Sequence, residues 1–249
     1  MFQGKIAVVT GAAAGIGYGL AKGYAEGGAA VALLDIDESA LDRAVTTLES
    51  DGHTVAGLVC DVSSRAAVDE AISAAVSTLG GIDILVNNAG LHLTHYNKPF
   101  GELSESDIRA LFDVNVLGVV NCSRAVAPAM KARGGGAIVN IASVAGYISQ
   151  TPYGVSKLAV RGLTIAFAHE LAECGIRVNA VAPGLIGTDS TNADIPEGLR
   201  EEIVRTRQLV HRQGRVADIV DAILYLSSGA ASYVTGETLK VAGGNALQI

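Results

Sequence analysis

A chain of 249 residues with 49% apolar side chains has the material for one large α/β domain or two small ones. Lys and Arg number 18 against 25 Asp and Glu, and the net charge of -7 argues against a sequence-independent hold on nucleic acid or an anionic membrane surface, which leaves small molecules as the expected partners. Cys60, Cys122 and Cys174 are widely spaced and form no CxxC pair, so neither a disulfide framework nor a zinc knuckle is indicated. The N-terminal MFQGKIAVVTG has no charged region ahead of a long apolar segment, and no run nears the roughly 20 apolar residues of a membrane span. The expectation is a soluble cytoplasmic protein.

Short aliphatic runs alternate with stretches of helical period. Lys5 to Val9 reads as a strand and Gly15 to Glu26 as a helix. A strand over Val31 to Leu34, a helix near Glu38 to Ser50, a strand over Thr54 to Val59 and a helix near Ser64 to Leu79 follow. Ile82 to Val86 reads as a fourth strand, Glu105 to Lys131 as one long helix, Ala137 to Ile141 as a fifth strand and Pro152 to Glu173 as another long helix. Ile176 to Val181 supplies a sixth strand and Leu239 to Val241 a short seventh. Strands apolar on both faces and separated by helices imply a parallel sheet covered on both sides. The fold class is therefore α/β, one doubly wound domain over residues 1–249, with an insertion where the rhythm breaks between Gly187 and Arg215.

Between the first strand and its helix, VVTGAAAGIG places Gly11, Gly15 and Gly17, with Ala14 and Ile16 among them. Missing side chains allow a tight turn and let the backbone approach a diphosphate, and the helix N-terminus adds free N–H groups and positive partial charge. A glycine-rich turn with no ligand reads the same when taken alone. Asp35, closing the second strand in VALLDID, stands where an acidic side chain accepts hydrogen bonds from an adenosine ribose diol, although an Asp after a strand is also a common helix-entry residue. Its charge would repel a 2′-phosphate, and Ala14 and Ile36 offer no cation to hold one, so NAD is favoured over NADP. Asp61, in LVCDVSS, could meet the adenine edge with Val62 packed beside it, or could cap the next helix. ILVNNAG ends the fourth strand with Asn87, Asn88, Ala89 and Gly90, small and amide residues that suit a backbone passing close to a ligand at the sheet's carboxyl edge, and suit a plain turn as well.

The series TGxxxGxG, an acidic end to the second strand, NNAG, a serine and YxxxK, running from Thr10 to about Gly244, resembles the short-chain dehydrogenase/reductase family. The resemblance implies a Rossmann-like sheet of about seven parallel strands, a homotetramer or dimer, and hydride transfer between a nicotinamide and an alcohol or carbonyl carbon. By position it maps a catalytic set onto Asn115 in FDVNVLG, Ser143 in NIASVAG, and Tyr153 with Lys157 in YGVSK. It also implies that Ile141, Pro183, Gly184, Ile186 and Thr188 line the cofactor, the last two at the nicotinamide carboxamide, and that Asn115 holds a water connecting the lysine to solvent. Residues 188–214 would form a polar lid over the substrate.

Hydride leaves or reaches a carbon as its oxygen loses or gains a proton, so the site needs an acid/base at that oxygen. A free phenol titrates at roughly pH 10, too high for a good base near neutrality, and a neighbouring cation favours the phenolate. Lys157 lies one turn from Tyr153 on the same helix face, and the positive ring of NAD+ would help. A drop of two or three pKa units takes about 3 to 4 kcal/mol. Ser143 at a strand's carboxyl end would hydrogen-bond the substrate oxygen. Taken singly, YxxxK occurs on many solvated helix faces, Ser143 is a turn serine, and Asn115 is an interior helix polar group needing a partner.

Two features depart from the family. Ser143 and Tyr153 are ten positions apart, where many members place about three more residues, and Ala242 in LKVAGG replaces a frequent acidic residue. The segment from Tyr147 to Thr151 is thus the first place to look for what the site accepts. His92 and His95 follow NNAG; they lack a third ligand at metal-binding spacing, and His92 is a candidate pocket residue. Two competitors share the motifs: an NADPH-dependent reductase of 3-oxoacyl thioesters, and a regulatory protein that binds NAD without turnover.

Overall fold

The structure, a computed structural model, describes residues 1–92 and 94–247. Its strands are β1 (Ile6–Thr10), β2 (Ala30–Asp35), β3 (Val55–Val59), β4 (Ile84–Asn87), β5 (Gly136–Ile141), β6 (Ile176–Pro183), the two-residue β7 (Ile186–Gly187) and β8 (Gly214–Arg215), and β9 (Thr238–Val241). Seven of them form a single sheet in the order β3-β2-β1-β4-β5-β6-β9, parallel throughout. β7 and β8 pair separately. The chain order reverses between β1 and β4, and the crevice at such a reversal lies at the strands' carboxyl ends.

The helices are α1 (Gly15–Glu26), α2 (Glu38–Ser50), α3 (Arg65–Leu79), α4 (Glu105–Phe112), α5 (Gly118–Ala132), α6 (Ala145–Ile148), α7 (Pro152–Glu170), α8 (Asp189–Asp194), α9 (Glu197–Arg207) and α10 (Val216–Ser227). Successive strand residues feed opposite layers, which is why the strands read as unbroken apolar runs. Val9, Leu33 and Val86 pack with Leu20, Tyr24, Leu41 and Ile219 from α1, α2 and α10. Val8, Leu34 and Leu85 pack with Ile72, Cys122, Met130 and Phe167 from α3, α5 and α7. One domain with helices on both faces results.

The helix starts follow capping chemistry. Asp37, Ser64, Ser104 and Thr151 each accept a backbone N–H in the first turn of α2, α3, α4 and α7. Asp35 and Asp61 are therefore not caps. Thr151 is extended ahead of Pro152, as the clash of a proline with its predecessor requires, and Pro152 takes the first helical position, where it has no N–H to lose.

Two expectations need correction, and two helices were not expected. The single helix over 105–131 is two helices joined by a π-helical turn, Asp113–Leu117, in which Gly118 N–H reaches back to the Asp113 carbonyl. The helix expected to reach Glu173 ends at Glu170, since Leu171 leaves helical geometry and a 3-10 turn follows. Between Ser143 and Tyr153 the chain forms a short helix, α6. An unpredicted helix, α10, buries Ile219, Val220, Ile223 and Leu226 at helical spacing, with the Asp218 carboxylate accepting the Arg215 N–H at its start. The stretch Glu105–Ala132 is long and apolar enough to cross a membrane by composition, yet it delivers Leu111, Cys122, Val126 and Met130, all at 0% exposure, to the core.

Candidate active site

The crevice between β1 and β4 is closed by side chain to backbone bonds. Thr10 Oγ1 accepts the N–H groups of Asn88 and Ala89, both at 3.0 Å, and Asn88 Nδ2 donates to the carbonyls of Thr10 and Gly11, both at 2.9 Å. The amide of Asn88 is thus turned into the glycine loop, which it holds against the end of β4. Gly11 and Gly15 have φ of +62° and +57°, and a Cβ on Gly17 would stand 1.9 Å from the Gly11 carbonyl oxygen, so only glycine permits the turn. α1 begins at Ala14, extended and without a capping side chain, which leaves the first-turn N–H groups around Ile16 and Gly17 to an anionic partner.

Asp35 Oδ2 accepts the Ala13 N–H at 2.9 Å and Oδ1 the Asp37 N–H at 3.1 Å. A carboxylate has about four lone-pair directions, so acceptor capacity for a diol remains. Ile36 beside it is 68% exposed, an apolar surface at the rim. Asp61 Oδ1 accepts from Ser63 N–H at 2.9 Å and from the Ser63 hydroxyl at 2.7 Å, while Val62 is buried and its carbonyl accepts from Asn121 Nδ2.

Lys157, Tyr153 and Ser143 come together at the carboxyl end of β5. Lys157 is 4% exposed, its Nζ donates to the Ile141 carbonyl at 2.9 Å, and it stands 5.9 Å from the centre of the Tyr153 ring. Burial pulls its pKa down to about 8. The Tyr153 phenol is shifted the other way: burial raises it, and a hydrogen bond from Ser143, which favours the phenolate, offsets this only in part. The lowering expected of the Tyr153 phenol thus has to work against burial, and that expectation includes the positive ring of NAD+ beside the Lys157 charge. Ser143 Oγ also accepts the Ala145 N–H at 3.1 Å, which fixes it at the head of α6.

Asn115, 1% exposed, sits in the π-helical turn. Its Oδ1 accepts the Leu91 N–H at 2.7 Å, and its Nδ2 donates to the Leu91 carbonyl at 2.9 Å and to Ser156 Oγ at 3.1 Å. A Cβ on Gly90 would lie 3.1 Å from Asn115 Oδ1 and 3.5 Å from Lys157 Nζ, so the end of NNAG passes close to both. On the far side, the Pro183 carbonyl accepts the Val144 N–H, Gly184 N–H donates to the Val241 carbonyl, and Ile186 is buried. Thr188 caps α8, and its methyl lies 3.7 Å from where a Cβ on Gly15 would be, so residues 188–214 start directly over the glycine turn.

Other expectations resolve differently. Tyr147 does not belong with the exposed residues of its segment: its ring is packed by Arg161 at 3.6 Å and Lys240 at 4.7 Å, while Ile148 beside it is 50% exposed. His95 pairs with Asp107 at 3.4 Å, and His92 is exposed with Nδ1 near the Gly90 carbonyl. Thr10 and Ser156 escaped sequence reasoning. Both stand inside recognised motifs, TGxxxGxG and YGVSK, and that adjacency was the only signal.

Residues 5–197 match the short chain dehydrogenase family. The chain is 40% identical over 246 residues to the dehydrogenase/reductase SDR family member 4 of Rattus norvegicus, covering 96% of this chain and 86% of that protein. Among solved structures it is similar to a 7 alpha-hydroxysteroid dehydrogenase complexed with NADH and 7-oxo glycochenodeoxycholic acid, with a TM-score of 0.91, 36% identity, and coverage of 99% of this chain and 96% of that one. It is also similar to an NAD+-bound xylitol dehydrogenase, with a TM-score of 0.92, 32% identity, and coverage of 98% and 99%.

Proposed function

The chain belongs to the short chain dehydrogenase family, and from that premise we propose that it is an NAD-dependent oxidoreductase interconverting a secondary alcohol and its ketone. The observation that carries the reading is a buried lysine one helical turn from a buried-side tyrosine hydroxyl that Ser143 hydrogen-bonds, at the sheet edge where the glycine turn and Asp35 also lie.

The residues fit the cofactor. The uncapped first turn of α1 suits a diphosphate, the Asp35 carboxylate a ribose diol, and the close-packed Gly11, Gly17 and Asn88 leave no side chain in the way. Bound there, NAD supplies the hydride acceptor and, when oxidised, a positive ring. Tyr153 moves the proton at the substrate oxygen. With its pKa raised it is a phenol at neutral pH, ready to donate to a ketone oxygen in the reductive direction. Lys157, at about 8, is still mostly an ammonium at pH 7, and its charge favours the phenolate needed for oxidation. Ser143 donates to the same oxygen and steadies the developing charge. The absence of a cation from Ala14 and Ile36, together with the charge of Asp35, supports NAD over NADP.

The test is NADH absorbance after mixing the protein with NAD+ and a panel of hydroxysteroids, polyols, hydroxyacyl thioesters and aromatic alcohols. Reduction with a member of the panel, lost in Tyr153→Phe while NADH binding persists, is expected. Full activity of that variant, or no turnover with any member, overturns the reading.

A further inference from the structure

Within YGVSK, the residue before the lysine has no role in the chemistry above. Ser156 is 0% exposed, and its hydroxyl donates to the Tyr153 carbonyl at 2.8 Å while accepting from Asn115 Nδ2 at 3.1 Å. Asn115 in turn grips both the N–H and the carbonyl of Leu91. Three separate pieces of chain therefore meet on two side chains: the backbone that follows NNAG, the π-helical turn, and the first turn of α7. The extra residue of a π-helical turn re-aims a side chain, and such turns concentrate at functional sites. Both amide hydrogens and the amide oxygen of Asn115 are thereby engaged.

We propose that Ser156 is a positioning residue for the reaction: it fixes the Asn115 amide, and through it holds Leu91 and Gly90 in register with Tyr153 and Lys157. The proposal rests on the oxidoreductase reading. With the hydroxyl gone, one buried N–H of Asn115 has no acceptor, a state costly enough to turn the amide away from Leu91.

The experiment compares the full-length parent with Ser156→Ala and Ser156→Cys, the latter keeping shape with a weaker donor and acceptor. NADH binding stoichiometry counts folded sites, so kcat is expressed per competent site. Expected for Ser156→Ala are a kcat lower by at least about tenfold, an NADH Kd within about threefold, and faster amide exchange in the 88–92 backbone than in the parent. Ser156→Cys falls between the two. In Asn115→Ala, adding Ser156→Ala should change kcat little further, because the link is already cut. Unchanged kcat per site, or unchanged exchange at 88–92, overturns the proposal. A parent that turns over no alcohol removes the oxidoreductase reading instead, and the exchange comparison still decides whether Ser156 holds Leu91.

Discussion

Lys157 Nζ donates to the carbonyl of Ile141 at 2.9 Å, one residue past the last β4–β5 pair, Asn87 with Asn140. β4 has ended at that level, and the N–H of Ala89 is taken by Thr10 Oγ1. The ammonium thus occupies a carbonyl at the unladdered end of the sheet while burial strips its water.

That position has a measurable pH signature. The pKa of Lys157 falls from an ordinary 10.5 to about 8 in the folded chain. Between those values the unfolded state holds the extra proton, so stability from this group rises with pH across the window and is lowest below it. Relative to Lys157→Met, the parent should gain up to about 3 kcal/mol between pH 8 and 10.5. Urea unfolding of both proteins at steps across that range reads the difference; a constant difference would mean the lysine is not perturbed.

Thr10→Val tests the clasp between β1 and β4. Thr10 is 1% exposed, and the change keeps its shape but leaves the Ala89 N–H without its acceptor and the Asn88 N–H with only the Val86 carbonyl at 3.1 Å. A loss of about 2 to 3 kcal/mol follows, and NADH binding should weaken because the same residues shape the glycine turn. Thermal unfolding and a binding titration on one sample check both effects.

For Asp35, charge and hydrogen bonding can be separated. Asp35→Asn keeps an oxygen for the Ala13 N–H but removes the charge that repels a 2′-phosphate. The ratio of kcat/KM for NAD over NADP should fall by about tenfold, equivalent to about 1.4 kcal/mol. A parent that already prefers NADPH would contradict the role given to Asp35.

Most of the sheet was legible because its signals are local. Paired apolar faces marked the strands, and Thr151 with Pro152 marked the start of α7 within two residues. The π-helical turn was not, since one inserted residue barely disturbs the apolar spacing of 105–131 yet turns Asn115 inward. The Thr10 to Asn88 clasp joins residues 78 apart, and nothing in either motif names the other. Helix α10 was obscured by the polar segment before it, although Val216, Ile219, Val220 and Ile223 keep a helical period. The opposing shift of Tyr153 depends on burial that no spacing reports.

The short Ser143 to Tyr153 segment supplies the last prediction. Arg161 stacks 3.6 Å over Tyr147 and donates from Nη1 to the Gly146 carbonyl at 3.1 Å, while Lys240 approaches the same ring. α6 is only one turn long, and a single turn does not hold itself together in water. Its position therefore depends on this staple, and on Ser149 in the left-handed region at φ +53°, packed near Gly154. Arg161→Leu removes the stacking and the carbonyl bond together, a loss of about 1 to 2 kcal/mol. Amide exchange over 145–150 should quicken. KM for the alcohol should rise several-fold while KM for NAD stays put, since Ile148 beside the staple moves and the glycine turn does not. Lys240→Ala, which leaves the Gly146 bond intact, should produce the same pattern more weakly. Exchange over 145–150 indistinguishable from the parent in Arg161→Leu would show that the segment is held by something other than Tyr147.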